Sequence, residues 1–326
     1  MSIHTSIHNH TAVITLDRPK ALNALNHEMV KEMTRVLQEW RDDEDITMVV
    51  LRGAGERALC AGGDIASLYE DAKLGGSLGE EFWRDEYRLN DLIANYPKPY
   101  VAIMHGIVLG GGVGVSAHGS HRIVTDSTRI GMPEVGIGFV PDVGGTYLLS
   151  RAGELGRYLA LSARHVGAAD AIRSGLADVY VPEERLEELL GQLCATGLPS
   201  VIDDFAQPLE EEGVDASKCV GETVAEILAN LDEDDAKRIR QHCPTALAVT
   251  LASLQRAANM DLKQALNAEF GVSLRMQARA DFVEGVRAQI IDKDRSPAWC
   301  PAFLDDVHEE AIEEILSPVD CEYPFA

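Results

Sequence analysis

The sequence predicts an α/β fold: a largely parallel sheet threaded with helices over residues 1–190, then a helical region over 191–326. Three observations predict it. Short apolar, β-branched runs alternate with stretches of helical periodicity. Glycine-rich turns close several of those runs, as connections between strand and helix do. Beyond about residue 185 the composition turns Ala-, Leu- and Glu-rich, and the periodicity is helical throughout. A chain of 326 residues is long enough for one large core, or a core with a smaller appended region.

The first apolar run is Ala12-Val13-Ile14-Thr15-Leu16, a strand that ends at the turn Asp17-Arg18-Pro19. Between His27 and Trp40, apolar Met29, Val30, Met33, Val36 and Leu37 recur at helical spacing. Thr47–Arg52 reads as a buried strand closed by Gly53-Ala54-Gly55. Tyr100–Met104 and His121–Thr125 are two further strands. The later helices are expected at Leu186–Leu193, Val224–Leu231, Leu247–Ala258 and Leu262–Ala280. Asp261, three residues before Gln264, matches a capping box with Asp in the cap position. Ile202–Lys218, acidic and broken by Pro and Gly, reads as an exposed loop. Asp305–Glu314 reads as a solvated helix face.

Bulk properties exclude several classes. Hydrophobic residues make up 46% and charged residues 25%, the balance of an ordinary globular protein, and no apolar run approaches the roughly 18 residues of a membrane span. The net charge of −24 argues against a nucleic-acid partner, whose phosphates need clustered Lys and Arg. Residues 1–10 have neither the look of a secretion signal nor that of a transit peptide, so a cytoplasmic location is expected. The six scattered cysteines form no CxxC pair and are expected as thiols. His4, His8 and His10 read as a polar strand rather than a metal cluster.

Two glycine-rich turns carry the first chemical signal. Ala61-Gly62-Gly63-Asp64 follows a strand and opens a helix, with Asp64 placed to cap it or complement its dipole. A plain strand–loop–helix corner fits this segment equally well. Gly110-Gly111-Gly112 follows the strand Tyr100–Met104 and leads toward a second helix. Three consecutive glycines are unfavourable in chain entropy, which points to a close backbone approach. Two such turns can each aim an N–H at a carbonyl oxygen, and preorganised donors of this kind stabilise a developing oxyanion by about 3–4 kcal/mol each. Rival patterns fit less well. Gly112–Ala117 matches GxGxxA, but Asp126 stands short of the roughly 20 residues a dinucleotide site expects. A nucleophile elbow at Ser116 fails because His118 occupies its last glycine position.

Two acids, Glu134 and Asp142, lie eight positions apart in an otherwise apolar, glycine-rich segment. Apolar surroundings raise carboxyl pKa values and can give two acids different roles. Such a pair suits acid, base or nucleophilic work on an acyl group. Asp142 is equally suited to N-cap a helix entering Gly144–Leu149.

The two glycine turns and Met132-Pro133-Glu134, in this order and spacing, resemble the crotonase (enoyl-CoA hydratase/isomerase) superfamily. Arg18–Leu25 is similar to that family's first CoA-contacting loop. Four stretches point to its branch of short-chain 3-hydroxyacyl-CoA hydrolases: Trp83–Tyr87, Phe139–Gly145, Cys243–Thr245, and Asp281–Ala288 with Ile291–Asp294. The resemblance spans about residues 10–305 and is weakest over Ile202–Lys218. It implies a crotonase-like spiral of ββα units. It also implies Ala61 and Gly111 as the two oxyanion N–H donors, Glu134 as the catalytic carboxylate, and Asp142 at the substrate's 3-hydroxyl or in proton transfer. Glu86 would shape the acyl pocket. Lys20, Ala21 and Leu22, with Gly62, Gly63, Asp64 and Gly110, would hold coenzyme A, which is part of the substrate; no separate cofactor, metal or membrane is implied. A trimer-based homo-oligomer is the implied assembly.

Superfamily hydratases pair the Glu134 position with a second glutamate just after the glycine triplet, where this chain has Gly114. A dienoyl-CoA isomerase matches Glu134 and Asp142 but also expects an acid at 114. The expectation is therefore hydrolysis of a short 3-hydroxyacyl-CoA thioester, with Glu134 attacking the carbonyl or activating water. Hydratase or isomerase chemistry is the alternative.

Overall fold

The computed structural model describes residues 2–74 and 76–326. The chain forms two compact units, each assembled from three stretches: Met1–Gly63, Arg88–Ile130 and Val166–Gly213 in the first, Asp64–Tyr87, Gly131–His165 and Val214–Ala326 in the second. The two are interleaved along the chain, so a single boundary near residue 190 does not separate them. No strand follows Tyr180 among the described residues, so the expected helical character of the C-terminal region is present. No helix among them is long and apolar enough to cross a membrane.

Among the described residues there are nine strands, in the first unit except for the last residue of the eighth: β1 (Ile3–His8), β2 (Thr11–Leu16), β3 (Met48–Gly53), β4 (Ala58–Cys60), β5 (Tyr100–Met104), β6 (Ile107–Leu109), β7 (His121–Val124), β8 (Arg129–Gly131) and β9 (Val179–Tyr180). They form a six-stranded sheet in the order β1-β2-β3-β5-β7-β9 and a three-stranded sheet in the order β4-β6-β8. Consecutive strands therefore fall in alternate sheets (β3 then β4, β5 then β6, β7 then β8) with helices between the pairs. This is a spiral of ββα repeats. Only β1 and β2 pair antiparallel in the larger sheet; the rest of its ladder is parallel. Parallel strands need a crossover, and the intervening helices supply it.

Met48–Leu51 and Tyr100–Met104 are buried at every position, which explains why those strands read as continuous apolar runs. Val13, Met48, Val50, Val101, Ile103 and Ile123 pack with Leu189, Leu193, Ile202 and Phe205 in one core. Helix His27–Asp42 buries Met29, Val30, Met33, Val36, Leu37 and Trp40, and its N-cap Asn26 accepts a hydrogen bond from the Met29 N–H.

The second unit is helical. Pro244–Ala257 starts with proline at its first position, where a missing N–H does no harm. Leu262–Gln277 carries the expected capping box, Asp261 and Gln264 each bonding the other's backbone. The expected run to Ala280 divides here, a second helix covering Ala280–Val286. Ile202–Lys218 is largely without regular structure, as expected, although a 3₁₀ turn covers Pro199–Asp204.

Candidate active site

The glycine turns of the first unit come together through backbone that tolerates no side chain. Gly110 has φ 48° and ψ −116°, and Gly62 has φ 106°, both outside the range comfortable for L-residues. A β-carbon on Gly62 would stand 3.3 Å from the Leu109 oxygen and 3.9 Å from the Gly111 nitrogen. One on Gly112 would fall 2.2 Å from the Cys60 oxygen. The two turns thus lie against each other, and the glycines are what permit it.

Helix Gly111–Ser116 opens at Gly111, whose N–H meets no acceptor among the described residues, as expected of a first helical position. The other turn differs from expectation. The Ala61 N–H donates to the Leu22 oxygen at 3.0 Å, so it is not available to a ligand. The next groups anchor the turn to the same loop: Leu25 N–H donates to Gly62 O at 2.8 Å, and Gly63 pairs with Leu25 as an isolated parallel bridge. Of the next two N–H groups in this turn, neither that of Gly62 nor that of Gly63 meets a backbone acceptor among the described residues.

Loop Arg18–Leu22 is held by a residue that sequence reasoning passed over. Asn23, buried with φ 58°, donates to the Ala54 and Ala58 oxygens at 3.0 and 2.9 Å and accepts from the Arg18 N–H at 2.9 Å. Lys20 and Ala21 are exposed beside it in the 3₁₀ turn Pro19–Ala21. Asp64 occupies the N-cap position of helix Ile65–Lys73 and makes no side-chain capping bond, which leaves the dipole-complementing alternative of the two expected roles.

The acids of the second unit form a buried cluster. Glu86 is 2% exposed, Glu134 7%, Asp142 6% and Glu269 3%. Glu134 opens a 3₁₀ turn, Glu134–Ile137, after Pro133. Asp142 does not cap the following helix; Gly144 holds that position, and the Asp142 carboxylate instead accepts from the Tyr87 hydroxyl at 2.8 Å. Tyr87 shares a second hydrogen bond, 2.9 Å, with Ser273 Oγ. Glu269 accepts from the Gly144 N–H at 2.6 Å, the Thr146 N–H at 2.9 Å and the Thr146 hydroxyl. One oxygen of Glu86 and one of Glu134 are buried with no hydrogen-bond partner. Trp83 stacks on Phe139 at 5.3 Å, and Phe139 packs on Phe282 at 5.6 Å, forming an aromatic wall in this unit.

Burial sets the electrostatics of these acids. It pushes Asp142 up to about 7, against the Tyr87 hydrogen bond that favours the ionised form. It pushes Glu269 up to about 8, against its bonds from Thr146 and Gly144. Glu134 is pushed well above the usual carboxylate range by burial first, then by the charges of Asp142 and Glu269. Burial and the Asp142 charge do the same to Glu86. Tyr87 is raised too, chiefly by burial, and stays a neutral donor. No Lys or Arg contributes to these shifts. At about 7 and about 8, Asp142 and Glu269 exchange protons near neutral pH, which is what general acid and base chemistry needs.

Tyr87, Ser273 and Glu269 complete the cluster without having been singled out for it. The signal was present: Glu269 and Ser273 stand one helical turn apart on the buried stripe Ala265-Leu266-Phe270-Met276, where an unpaired acid would be unfavourable. The N-terminal histidines bond locally, His4 to Asp17 at 2.7 Å and His10 to the Asp45 oxygen at 2.7 Å.

Residues 11–316 match a family described as enoyl-CoA hydratase/isomerase. A protein of Danio rerio named 3-hydroxyisobutyryl-CoA hydrolase, mitochondrial, is 40% identical over 94% of this chain and 87% of its own. The Homo sapiens protein of the same name is 39% identical over 92% and 84%. Among solved structures, a carnitinyl-CoA dehydratase from Mycobacterium thermoresistibile superposes with a TM-score of 0.93 at 44% identity, covering 98% of both chains. An enoyl-CoA hydratase from Rhodobacter sphaeroides 2.4.1 gives 0.89 at 40%, again over 98% of both.

Proposed function

The chain belongs to the enoyl-CoA hydratase/isomerase family, and from that premise we propose that it hydrolyses a short-chain 3-hydroxyacyl-CoA thioester, converting 3-hydroxyisobutyryl-CoA and water to 3-hydroxyisobutyrate and CoA. The observation that carries this reading is the combination at positions 114 and 134. Glu134 is a buried acid with an unpartnered oxygen, while Gly114, where hydratases of the family place their second glutamate, has no side chain to offer. Relatives about 40% identical over most of the chain, named for this hydrolysis, support it.

In this mechanism the thioester oxygen accepts from the Gly111 N–H and from an unengaged N–H of the Gly62-Gly63 turn as its charge develops. That turn takes the role first expected of Ala61, whose N–H is already engaged. Glu134 delivers its carboxylate in one of two ways. As a nucleophile it forms an acyl-enzyme anhydride, expels CoA thiolate, and is released by water. As a base it removes a proton from the attacking water directly. Either way one water is consumed, and the thiolate leaves as thiol after taking a proton. Asp142, poised at about 7, orients the 3-hydroxyl and supplies that proton. Glu86 shapes the acyl pocket, and the exposed Lys20 with the Ala21–Leu22 and Gly62–Asp64 backbone holds the CoA moiety.

One observation favours a second reading, dehydration or hydration of an acyl-CoA. Glu86 is itself a buried acid held above the usual range, and so is available in place of the missing acid at 114. Thiol release from 3-hydroxyisobutyryl-CoA, run beside hydration of crotonyl-CoA, separates the two. The expected result is thiol release by the native enzyme, a loss of at least about 10³-fold in Glu134→Gln, and no hydration. Hydration without thiol release would overturn the hydrolase reading. Single turnover in ¹⁸O-water divides the two versions of the step, because only a nucleophilic Glu134 acquires the label.

A further inference from the structure

We propose that Glu269 is a positioning residue for the reaction proposed above: its buried carboxylate holds the turn that follows Asp142 and, through that turn, fixes where the Asp142 carboxyl stands. This deepens the hydrolase reading and rests on it for the role of Asp142.

The turn is Val143-Gly144, and both residues are left-handed, with φ 54° and 79°. Glycine adopts that conformation freely; a β-branched valine rarely does. A non-glycine residue in this region persists only where the surroundings impose it. Val143 is buried, and the group that grips the segment is Glu269. Its Oε2 takes the Gly144 N–H and its Oε1 takes both the N–H and the hydroxyl of Thr146. Those are the N–H of the cap residue and of the second residue of helix Gly145–Ser150, which lack acceptors of their own at a helix start. Glu269 therefore caps this helix from helix Leu262–Gln277, a task for which the sequence offered Asp142 as one of two readings. Because the cap is supplied from elsewhere, the Asp142 side chain is released from capping and turned to the Tyr87 hydroxyl.

Once ionised, above about pH 8, Glu269 also adds a negative charge to the cluster. The titratable groups facing it and Asp142 are Glu86 and Tyr87 from helix Leu78–Ala94 and Glu134 from its 3₁₀ turn. None is cationic. Removing the Glu269 charge eases ionisation of Glu134, whereas a neutral core residue at 269 acting only by packing would leave that ionisation where it was.

The test uses the full-length protein as native enzyme, Glu269→Gln and Thr146→Val, the last removing one donor while leaving Glu269 in place. Two readouts are taken: the pH profile of kcat and KM for thiol release, and the titration of Glu134 followed by ¹³C NMR of carboxyl-labelled glutamate. Glu269→Gln is expected to move the Glu134 titration, and the limb of the profile that it sets, to lower pH. Plateau kcat falls about tenfold while KM stays within about threefold. Thr146→Val weakens the hold on the turn and gives a smaller fall in kcat with KM unchanged. An unmoved Glu134 titration in a folded Glu269→Gln protein overturns the proposal, as does an equal loss of kcat and substrate affinity. If Glu269→Gln does not fold, an unaltered kcat in Thr146→Val overturns it. The NMR titration needs no substrate. A shift there, with no thiol release by the native enzyme, would sink the hydrolase reading while leaving the Glu269 contact in force.

Discussion

Tyr87 acts on Asp142 through a hydrogen bond and Glu269 on Glu134 through its charge, and the two effects run in opposite directions. The Tyr87 hydroxyl donates to Asp142 and so favours its ionised form, while burial opposes ionisation and holds the group at about 7. Tyr87→Phe removes the donor and nothing else of similar size. The Asp142 titration should then rise above about 7, and the pH dependence it imposes on thiol release should move to higher pH. That is the reverse of the shift expected for Glu269→Gln. The substitution also leaves Ser273 Oγ and an Asp142 oxygen without their partner, which should destabilise the fold by about 1–3 kcal/mol in chemical denaturation. A profile that stays in place or moves acidward would show that the hydroxyl does not favour the Asp142 anion. The candidate acids Glu134 and Asp142 were legible because carboxyls in an apolar, glycine-rich stretch are rarely accidental. Tyr87 and Ser273 were not, since a hydroxyl on an amphipathic helix looks the same whether it serves the core or an acid. The Ala61 amide was misplaced for a related reason: composition shows which turn is tight, but only the ladder to Leu22 and Leu25 decides which N–H is left over.

The glycines divide into those that shape an element's packing and those that do not. At Gly112 an added methyl would meet the Cys60 oxygen at 2.2 Å, forcing helix Gly111–Ser116 off strand β4. Gly112→Ala should destabilise the protein by about 1–3 kcal/mol and, by moving the Gly111 N–H, reduce kcat far more than KM. Gly191, exposed in helix Leu186–Thr196, has nothing within 4 Å of its would-be β-carbon. Gly191→Ala should stabilise by about 0.5–1 kcal/mol and leave kcat alone. Equal effects from the two, measured by denaturation and thiol release, would contradict the packing argument. Strands β3 and β5 were readable because Met48–Leu51 and Tyr100–Met104 are apolar and buried at every position. Strands β4, β6 and β8 were not, being only three residues each and embedded in the turns they support. Strand β1 was readable only as a polar strand around its histidines: as an edge strand it buries only Ile3, and its other apolar residue, Ile7, is exposed.

A folded chain that buries Glu86, Glu134, Asp142 and Glu269 ties its stability to pH in a direction unusual for carboxylates. All four titrate higher in the native state than the ordinary carboxyl range, Asp142 at about 7 and Glu269 at about 8. Between about pH 4 and pH 8 the native state therefore binds more protons than the unfolded chain, and unfolding free energy falls as pH rises. The contribution is complete below the unfolded values and is lost as pH climbs through the folded ones. The net charge of −24 adds self-repulsion in the same direction. Carboxylates that titrate low, such as Glu32, Asp126 and Glu284, are held there by hydrogen bonds or ion pairs open to solvent and act below the ordinary carboxyl range, outside this window. Urea denaturation at about pH 5.5 should accordingly give a higher midpoint than at about pH 8, a difference on the order of a few kcal/mol. Asp142→Asn should narrow that difference, because a neutral amide has no proton to lose. High salt should recover part of the loss at pH 8 by screening surface repulsion, but not the part that belongs to buried acids. A midpoint that is flat from pH 5.5 to 8, or unchanged in its slope by Asp142→Asn, would mean that these carboxyls are hydrated in solution and ionise as ordinary surface acids do, which would remove the proton chemistry assigned to them.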